Sequence, residues 1–504
     1  MKGFEPFTPA AILNDVRSGD LDKASAIELL ITIIDNSDNI GTRLETIRVL
    51  EKIEEKSKRL FAFLENLLIS DNNEKMRVQS AKILTKLFIE QAIPPINWAL
   101  QNEKSLSVQI AIINSLADIE NEKARIILAK KINEFHKKKY KYNLKEVIET
   151  QDLKNLNNVE LAEILINYLV ISSLKLKFGR VIFSLNKSGT ISNLDLSNVD
   201  YKGLGLNKLF NSLEAILSLS FLEKLDLSNN HLKTIPEVIN NANQLENLDL
   251  SYNNIDKLPN SFSALNKLKV LNLKSNKLKN VPETINKLQQ LETLILRDNL
   301  LNTLPFSIGL LKKLKLLDLH HNEFEKFLIN SESLESLTQL ELGWNKFNNV
   351  PECIKNLNAL VKLSLERNHI EEIPFWIGKL KNLKQFSIHD NQIKDLPDSF
   401  GSLERLEVLN FRNNHFEKIP FCISNLKNLK SLNLSWNDIT EIPIWIDSLK
   451  NIEILNFWGN KIDIIPKEIE SLVNLKTLYL NFNKFTDIPK EIKILRDKGV
   501  IVNI

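Results

Sequence analysis

Cysteine is almost missing from this 504-residue chain, which has only Cys353 and Cys422. Two such residues build neither a disulfide framework nor a CxxC metal site, and their scarcity suits a reducing compartment. Glycine is scarce too, at 13 residues, where proteins average roughly 7%. That disfavours an architecture resting on several glycine-rich phosphate loops. Neither sign of charge dominates: 66 basic residues face 63 acidic ones, so there is no global pull toward nucleic acid or an anionic membrane. No apolar run approaches the roughly 18 residues that a membrane span needs. The opening MKGFEPFTPAAILNDVRSGD places acids and prolines where a secretory leader needs an unbroken apolar stretch. These absences predict a cytoplasmic chain that does not insert into membranes. What is present, 43% hydrophobic and 26% charged residues, is enough to fold into two or more domains.

Self-similarity dominates the second half. LEKLDLSNNHLKTIP begins at Leu222, LENLDLSYNNIDKLP at Leu245, LKVLNLKSNKLKNVP at Leu268 and LETLILRDNLLNTLP at Leu291, an interval of 23 residues. The period continues without insertion to a start at Leu475, giving twelve units over 222–497, with an Asn in step from Asn230 to Asn483. Within each LxxLxL the residues alternate as in a strand, so Leu225 and Leu227 are expected to point inward and Asp226 outward. One unit cannot close a core, and stacked units can. The Asn column stands where the chain leaves the strand, and an amide can satisfy turn groups that burial would otherwise orphan. The pattern is identified as that of the leucine-rich repeats. Its LPxxIxxLxxL second half resembles the 23-residue intracellular class, which includes the Ras-group proteins of plants and animals that scaffold small GTPases and phosphatases. The resemblance implies a horseshoe with a parallel sheet on its concave side, and it carries over no functional residue. Internalin-type adhesins share the coil logic, but they are secreted and anchored.

The flanks differ. RVIFSLNKSGTISNLDLSN, from Arg180 to Asn198, reads as a hairpin feeding a divergent first coil, with Val199 where Asn would stand and helical spacing from Leu206 to Phe221. GVIVNI, Gly499 to Ile504, reads as a closing strand. Upstream, Thr42-Arg43, Met76-Arg77 and Val108-Gln109 open three helical patterns in one phase, offset by 34 and 32 residues, which resemble HEAT-like repeats. The expected organisation is therefore all-α followed by α/β. It has a HEAT-like α-solenoid at 1–135, a helical linker at 136–177, a cap and divergent repeat at 178–221, twelve repeats at 222–497 and a cap strand at 498–504. HKKKYKYNLK, His136 to Lys145, is expected to be a solvated face between the domains.

The chemistry of an active site does not assemble. Cys353 and Cys422 occupy one position three coils apart, too far to bridge. His231, His369 and His415 fall in turns, His320 and His321 are neighbours that point apart, and no HExxH, GxSxG, Walker or kinase signature occurs. No catalytic residue, metal or cofactor is expected. The outward strand positions total 11 basic and 12 acidic residues, which counts against a phosphate track. They do offer Trp344, Arg367 and His389 in the central coils, and Arg412, Trp436, Trp458, Tyr479 and Phe482 toward the end, with Lys430 and Lys476 as a basic rim. Exposed aromatics beside Arg are the residue types of protein-binding hot spots. The aromatics could equally cover the last coils or stack as a ladder. In the fifth coil Leu328 replaces the expected Pro and Ser331 the expected Ile, which reads as local repacking. The functional expectation is a non-enzymatic scaffold for protein partners, a small GTPase among the candidates. The alternatives are a regulatory subunit of a separately encoded enzyme such as a GTPase or kinase, and a nucleic-acid binder acting through the helical domain.

Overall fold

A computed structural model describes residues 8–137, 153, 155–186, 188, 190–199 and 206–504. The chain divides into two compact units, one comprising residues 1–194 and 211–222 and the other 195–210 and 223–504.

The first unit is built from helical repeats. Its helices are α1 (Pro9–Ser18), α2 (Lys23–Asn36), α3 (Ile40–Ile53), α4 (Lys58–Ser70), α5 (Glu74–Leu87), α6 (Ile89–Asn102), α7 (Leu106–Ala117), α8 (Glu122–Lys137) and α9 (Asn158–Phe178). The shared phase has a physical basis. Arg43 and Arg77, each near the start of its helix, reach the acids Asp71 and Glu103 of later loops, Arg77 at 2.8 Å, and the Arg77–Glu103 pair is nearly buried. Gln109 holds the corresponding place in α7 and donates to the Glu103 carbonyl at 2.6 Å. The apolar faces then close over Ile47, Leu50, Leu84, Ile112 and Leu116. The expected division at 135 differs from what is observed. α9 packs against α7 and α8, Asn158 donates to the Ile119 carbonyl at 2.6 Å, and the Phe135 and Tyr168 rings lie 4.8 Å apart. The helix is part of this unit and not a linker. The Lys-rich run at 138–145 lies outside the described residues. The expected hairpin appears as β1 (Ile182–Leu185) and β2 (Ile191–Asp195), tied to α9 where Asn167 accepts from the Ile191 N–H.

After α10 (Leu206–Ile216), the second unit stacks three-residue strands: β3 (Lys224–Asp226), β4 (Asn247–Asp249), β5 (Val270–Asn272), β6 (Thr293–Ile295), β7 (Leu316–Asp318), β8 (Gln339–Glu341), β9 (Lys362–Ser364), β10 (Gln385–Ser387), β11 (Val408–Asn410), β12 (Ser431–Asn433), β13 (Ile454–Asn456), β14 (Thr477–Tyr479) and β15 (Ile501–Asn503). All pair in parallel with the sequence neighbour, and the register aligns Leu225, Leu248, Leu271 and their successors as far as Val502. These central residues are buried, as are the leucines two positions on. Opposite the sheet ten of the twelve coils return through a five-residue 3-10 segment after a proline, such as Glu352–Asn356 after Pro351. The last repeat departs from that pattern, forming α11 (Lys490–Asp497) before β15. Arg496 of α11 donates to the Val502 carbonyl at 2.9 Å and so caps the outer edge of the sheet. In the fifth coil Leu328 is exposed and the 3-10 segment shrinks to Ser331–Ser333. The displaced chain runs over Gly309, where a Cβ would lie 1.9 Å from the Asn330 carbonyl oxygen.

The Asn column fastens one coil to the previous one. Asn368 donates through Nδ2 to the carbonyls of Leu342, Leu365 and Glu366, and its Oδ1 accepts from the Phe347 N–H at 3.0 Å. Replacement by Leu leaves these buried groups unpaired, at about 1–3 kcal/mol for each one left without a partner. Asn413 precedes its column by one residue, has φ 51° and makes a surface bond to Asp390. Thermal unfolding should therefore show a large loss for Asn368→Leu and a small one for Asn413→Gly, which retains the left-handed conformation. Equal losses would contradict the assigned roles.

Candidate functional site

The exposed face of the sheet is organised in columns 23 residues apart. In one of them, directly before the column Asn, all twelve residues have positive φ, from Asn229 at 56° to Phe482 at 57°. That conformation costs a non-glycine residue roughly 1–2 kcal/mol. It is imposed by the turn that the Asn column holds, and it aligns the side chains in a row. In the middle of the row each side chain engages the next. Ser275 donates to Asp298, His321 meets Asp298 at 2.6 Å and turns its ring toward Trp344, Arg367 lies 4.2 Å over the Trp344 ring, and Arg367 and Asn413 both reach Asp390. His389 joins the same Asp390 at 2.7 Å. The predicted residues Trp344, Arg367 and His389 are thus brought near one another: Arg367 covers Trp344, and Arg367 and His389 share Asp390.

One position inward on the strand, Gly343 leaves space that its neighbours fill. His320 and Glu366, from the coils on either side, meet across it at 3.4 Å, and His320 is 8% exposed. A Cβ on Gly343 would lie 2.5 Å from the Glu366 carboxyl carbon and 2.9 Å from His320. Burial works against the charged form of Glu366, but hydrogen bonds from His320 and Ser364 outweigh it and hold the carboxyl at about 2. At Asp318 burial prevails over the single bond from the His320 N–H and pushes the carboxyl upward.

The C-terminal aromatics gather as expected and also stack. Trp458 and Phe482 lie parallel, 5.9 Å apart and 8° from coplanar. The Trp436 ring lies against Gly459, where a Cβ would come within 3.0 Å of it. Stacking does not bury them: Trp436 remains 48%, Trp458 38% and Phe482 74% exposed. Tyr479 is half-buried on β14, in register with Asn456 and Asn503. The expected basic rim is corrected by two ion pairs. Lys430 binds Glu407 at 2.8 Å and Lys476 binds Glu453 at 2.5 Å. Exposed Arg412 is left without an ion-pair partner among the described residues. Both cysteines sit where burial pushes the thiol up, to about 11 for Cys353 and about 12 for Cys422, and a thiol held protonated is a poor nucleophile or ligand.

Family models agree with this geometry. Leucine-rich repeat region matches residues 340–436, Leucine rich repeat 220–278, and Leucine Rich repeats (2 copies) 450–493. A leucine-rich-repeat protein of Leptospira interrogans is 32% identical, over 62% of this chain and 95% of that one, with a TM-score of 0.45. This chain belongs to the leucine-rich-repeat proteins. A TDR receptor is similar at 29% identity and a TM-score of 0.50 over 55% of this chain, which spans 50% of the receptor's chain. An internalin of Listeria monocytogenes is 19% identical over 72% of this chain and 86% of that one, with a TM-score of 0.46. No curated protein matches. Among the described residues no helix of this leucine-rich-repeat protein is long and apolar enough to cross a membrane.

The Glu366 site gives a pH signature. Because its carboxyl falls from an ordinary 4.5 to about 2 on folding, its contribution is complete above pH 4.5 and is lost as pH falls toward 2. The melting-temperature gap between wild type and Glu366→Gln should narrow over that interval. Gly343→Ala, which forces His320 and Glu366 apart, should remove most of the pH dependence of that gap, a result checked by melts at stepped pH.

Proposed function

We propose that this leucine-rich-repeat protein is a non-enzymatic scaffold that binds protein partners through the exposed face of its sheet and through its helical unit. The observation that carries the reading is the set of three large aromatic side chains, Trp436, Trp458 and Phe482, held at 38–74% exposure in successive coils. Aromatic residues in such patches dominate binding energies, because a large rigid surface is desolvated at little cost in side-chain entropy. Stacking on Phe482 and on Gly459 fixes the two tryptophans in advance, which lowers the cost of binding further. The fold supports the same reading, since stacked repeats present long continuous surfaces for recognition. The uninterrupted 23-residue period and the regular 3-10 return segments support placement in the intracellular class. That class, together with the scarcity of cysteine, favours a cytoplasmic site of action and signalling partners, a small GTPase among them.

The test uses the partner recovered by proximity labelling in the native cell. Trp436→Ala with Trp458→Ala should weaken its binding by more than about 2 kcal/mol and leave the melting temperature nearly unchanged, since both rings are largely exposed. Loss of melting temperature with retained binding would assign the rings to structural cover. Both quantities are measured on one preparation.

A further inference from the structure

The third residue of each strand forms another column on the same face, and the choice between Asp and Asn there has a consequence for recognition. Asp226 and Asp249 accept from the backbone N–H two residues on, each at 2.8 Å. Asn410, Asn433 and Asn456 do the same through Oδ1, accepting from the N–H groups of Arg412, Ser435 and Trp458 at 3.0–3.1 Å. A backbone N–H needs an oxygen, so the orientation of each amide is fixed by its own turn. The oxygen is engaged by the turn, at Asn433 also by the Ser435 hydroxyl at 2.7 Å, which leaves the NH2 group to face outward. The three are Cα partners across β11, β12 and β13, so their donors stand about 4.8 Å apart. Among the described residues none of these NH2 groups has an acceptor. One earlier coil shows what satisfies such a group: Asn272, held in the same way, donates its Nδ2 to the Asp249 carboxylate at 2.8 Å.

The surroundings point to the same chemistry. Over β11 to β14 the acids at the strand edge, Glu407 and Glu453, are each bound to lysine. Among the described residues Arg412 is a free cation beside the ladder, and the aromatic rings adjoin it. This face offers donors and a positive charge, and along these strands its carboxylates are already neutralised.

We propose that this face receives a protein segment in which carboxylates flank an aromatic or aliphatic anchor. Asn410, Asn433, Asn456 and Arg412 take its carboxylate and carbonyl oxygens, while the anchor lies against Trp436 and Trp458. The proposal rests on the scaffold reading and adds the chemistry of the partner. It is tested with the full chain and a phage-displayed random peptide library as the probe. Wild type should enrich peptides carrying Asp or Glu beside Trp, Phe or Leu. Asn433→Asp with Asn456→Asp keeps the bond to the turn, as Asp226 and Asp249 do, and reverses what faces the ligand. Affinity for the enriched synthetic peptide should fall by about tenfold or more through like-charge repulsion, and amidating the peptide's acids should weaken binding to wild type. Enrichment of basic or uncharged peptides, no enrichment, or unchanged affinity in the Asp variant would overturn the proposal. If Trp436→Ala with Trp458→Ala loses the peptide while the Asp variant retains it, the scaffold site stands and the donor ladder falls. The opposite pattern upholds the ladder and removes the aromatic anchor.

Discussion

Each of the twelve 23-residue coils depends on one amide at the turn, buried from Asn230 to Asn460 and half-buried at Asn483. The column Asn donates to a carbonyl of the previous coil and to carbonyls of its own turn, and its oxygen accepts an N–H from the previous coil, as with Asn276, Leu250, Leu273 and Ile255. A chain returning to its sheet after only three residues of strand would otherwise bury several unpaired groups per turn. Carboxylate cannot replace the amide there, since it has no hydrogen to donate. The same bonds hold the preceding residue at positive φ, so the fastening that closes the core also aims Trp344, Trp436 and Phe482 outward. Stability and presentation of the surface are consequences of a single contact.

Two parts of that surface have different characters. From Ser275 to Asn413 the exposed row satisfies itself through ion pairs, a cation–π contact and hydrogen bonds between consecutive coils. Such exposed pairs contribute little to stability individually, but a continuous row fixes the side chains. Beyond Asn413 the row changes to Trp436, Gly459 and Phe482, where no charge is present and the rings keep much of their area in water. A surface whose polar groups are already paired gains little from a ligand, whereas an exposed aromatic patch gains its full desolvation. That contrast is why the binding reading falls on the last coils.

The repeat was legible because its period is strict and each position has one physical role, with leucine inward, Asn at the turn and proline before the return. Helical phase in the first unit was legible for a similar reason, with Arg43, Arg77 and Gln109 in one place of successive repeats. The role of α9 was not, since its apolar residues run almost all round the helix and give no direction of packing. Nor was the fate of Lys430 and Lys476, because their partners Glu407 and Glu453 stand 23 residues away and are seen only once the coils are stacked. The His320–Glu366 contact was hidden further, by a spacing of two coils that exists only because Gly343 has no side chain. The donor column at Asn410, Asn433 and Asn456 did carry a signal, the same 23-residue spacing with Asp replaced by Asn. It becomes readable only when the bond to the turn shows which end of the amide is used up.

The recognition surface proposed above is the exposed sheet face of the last coils and not the opposite side, where Phe421 is 69% exposed beside Trp445. A photo-crosslinking amino acid placed at 454, where Ile454 of β13 is 40% exposed beside the aromatic rings, in one variant and at 421 in another, both expressed in the native cell, separates the two faces. Position 454 should give a discrete protein adduct and position 421 none. Adducts from 421 alone would contradict the assignment.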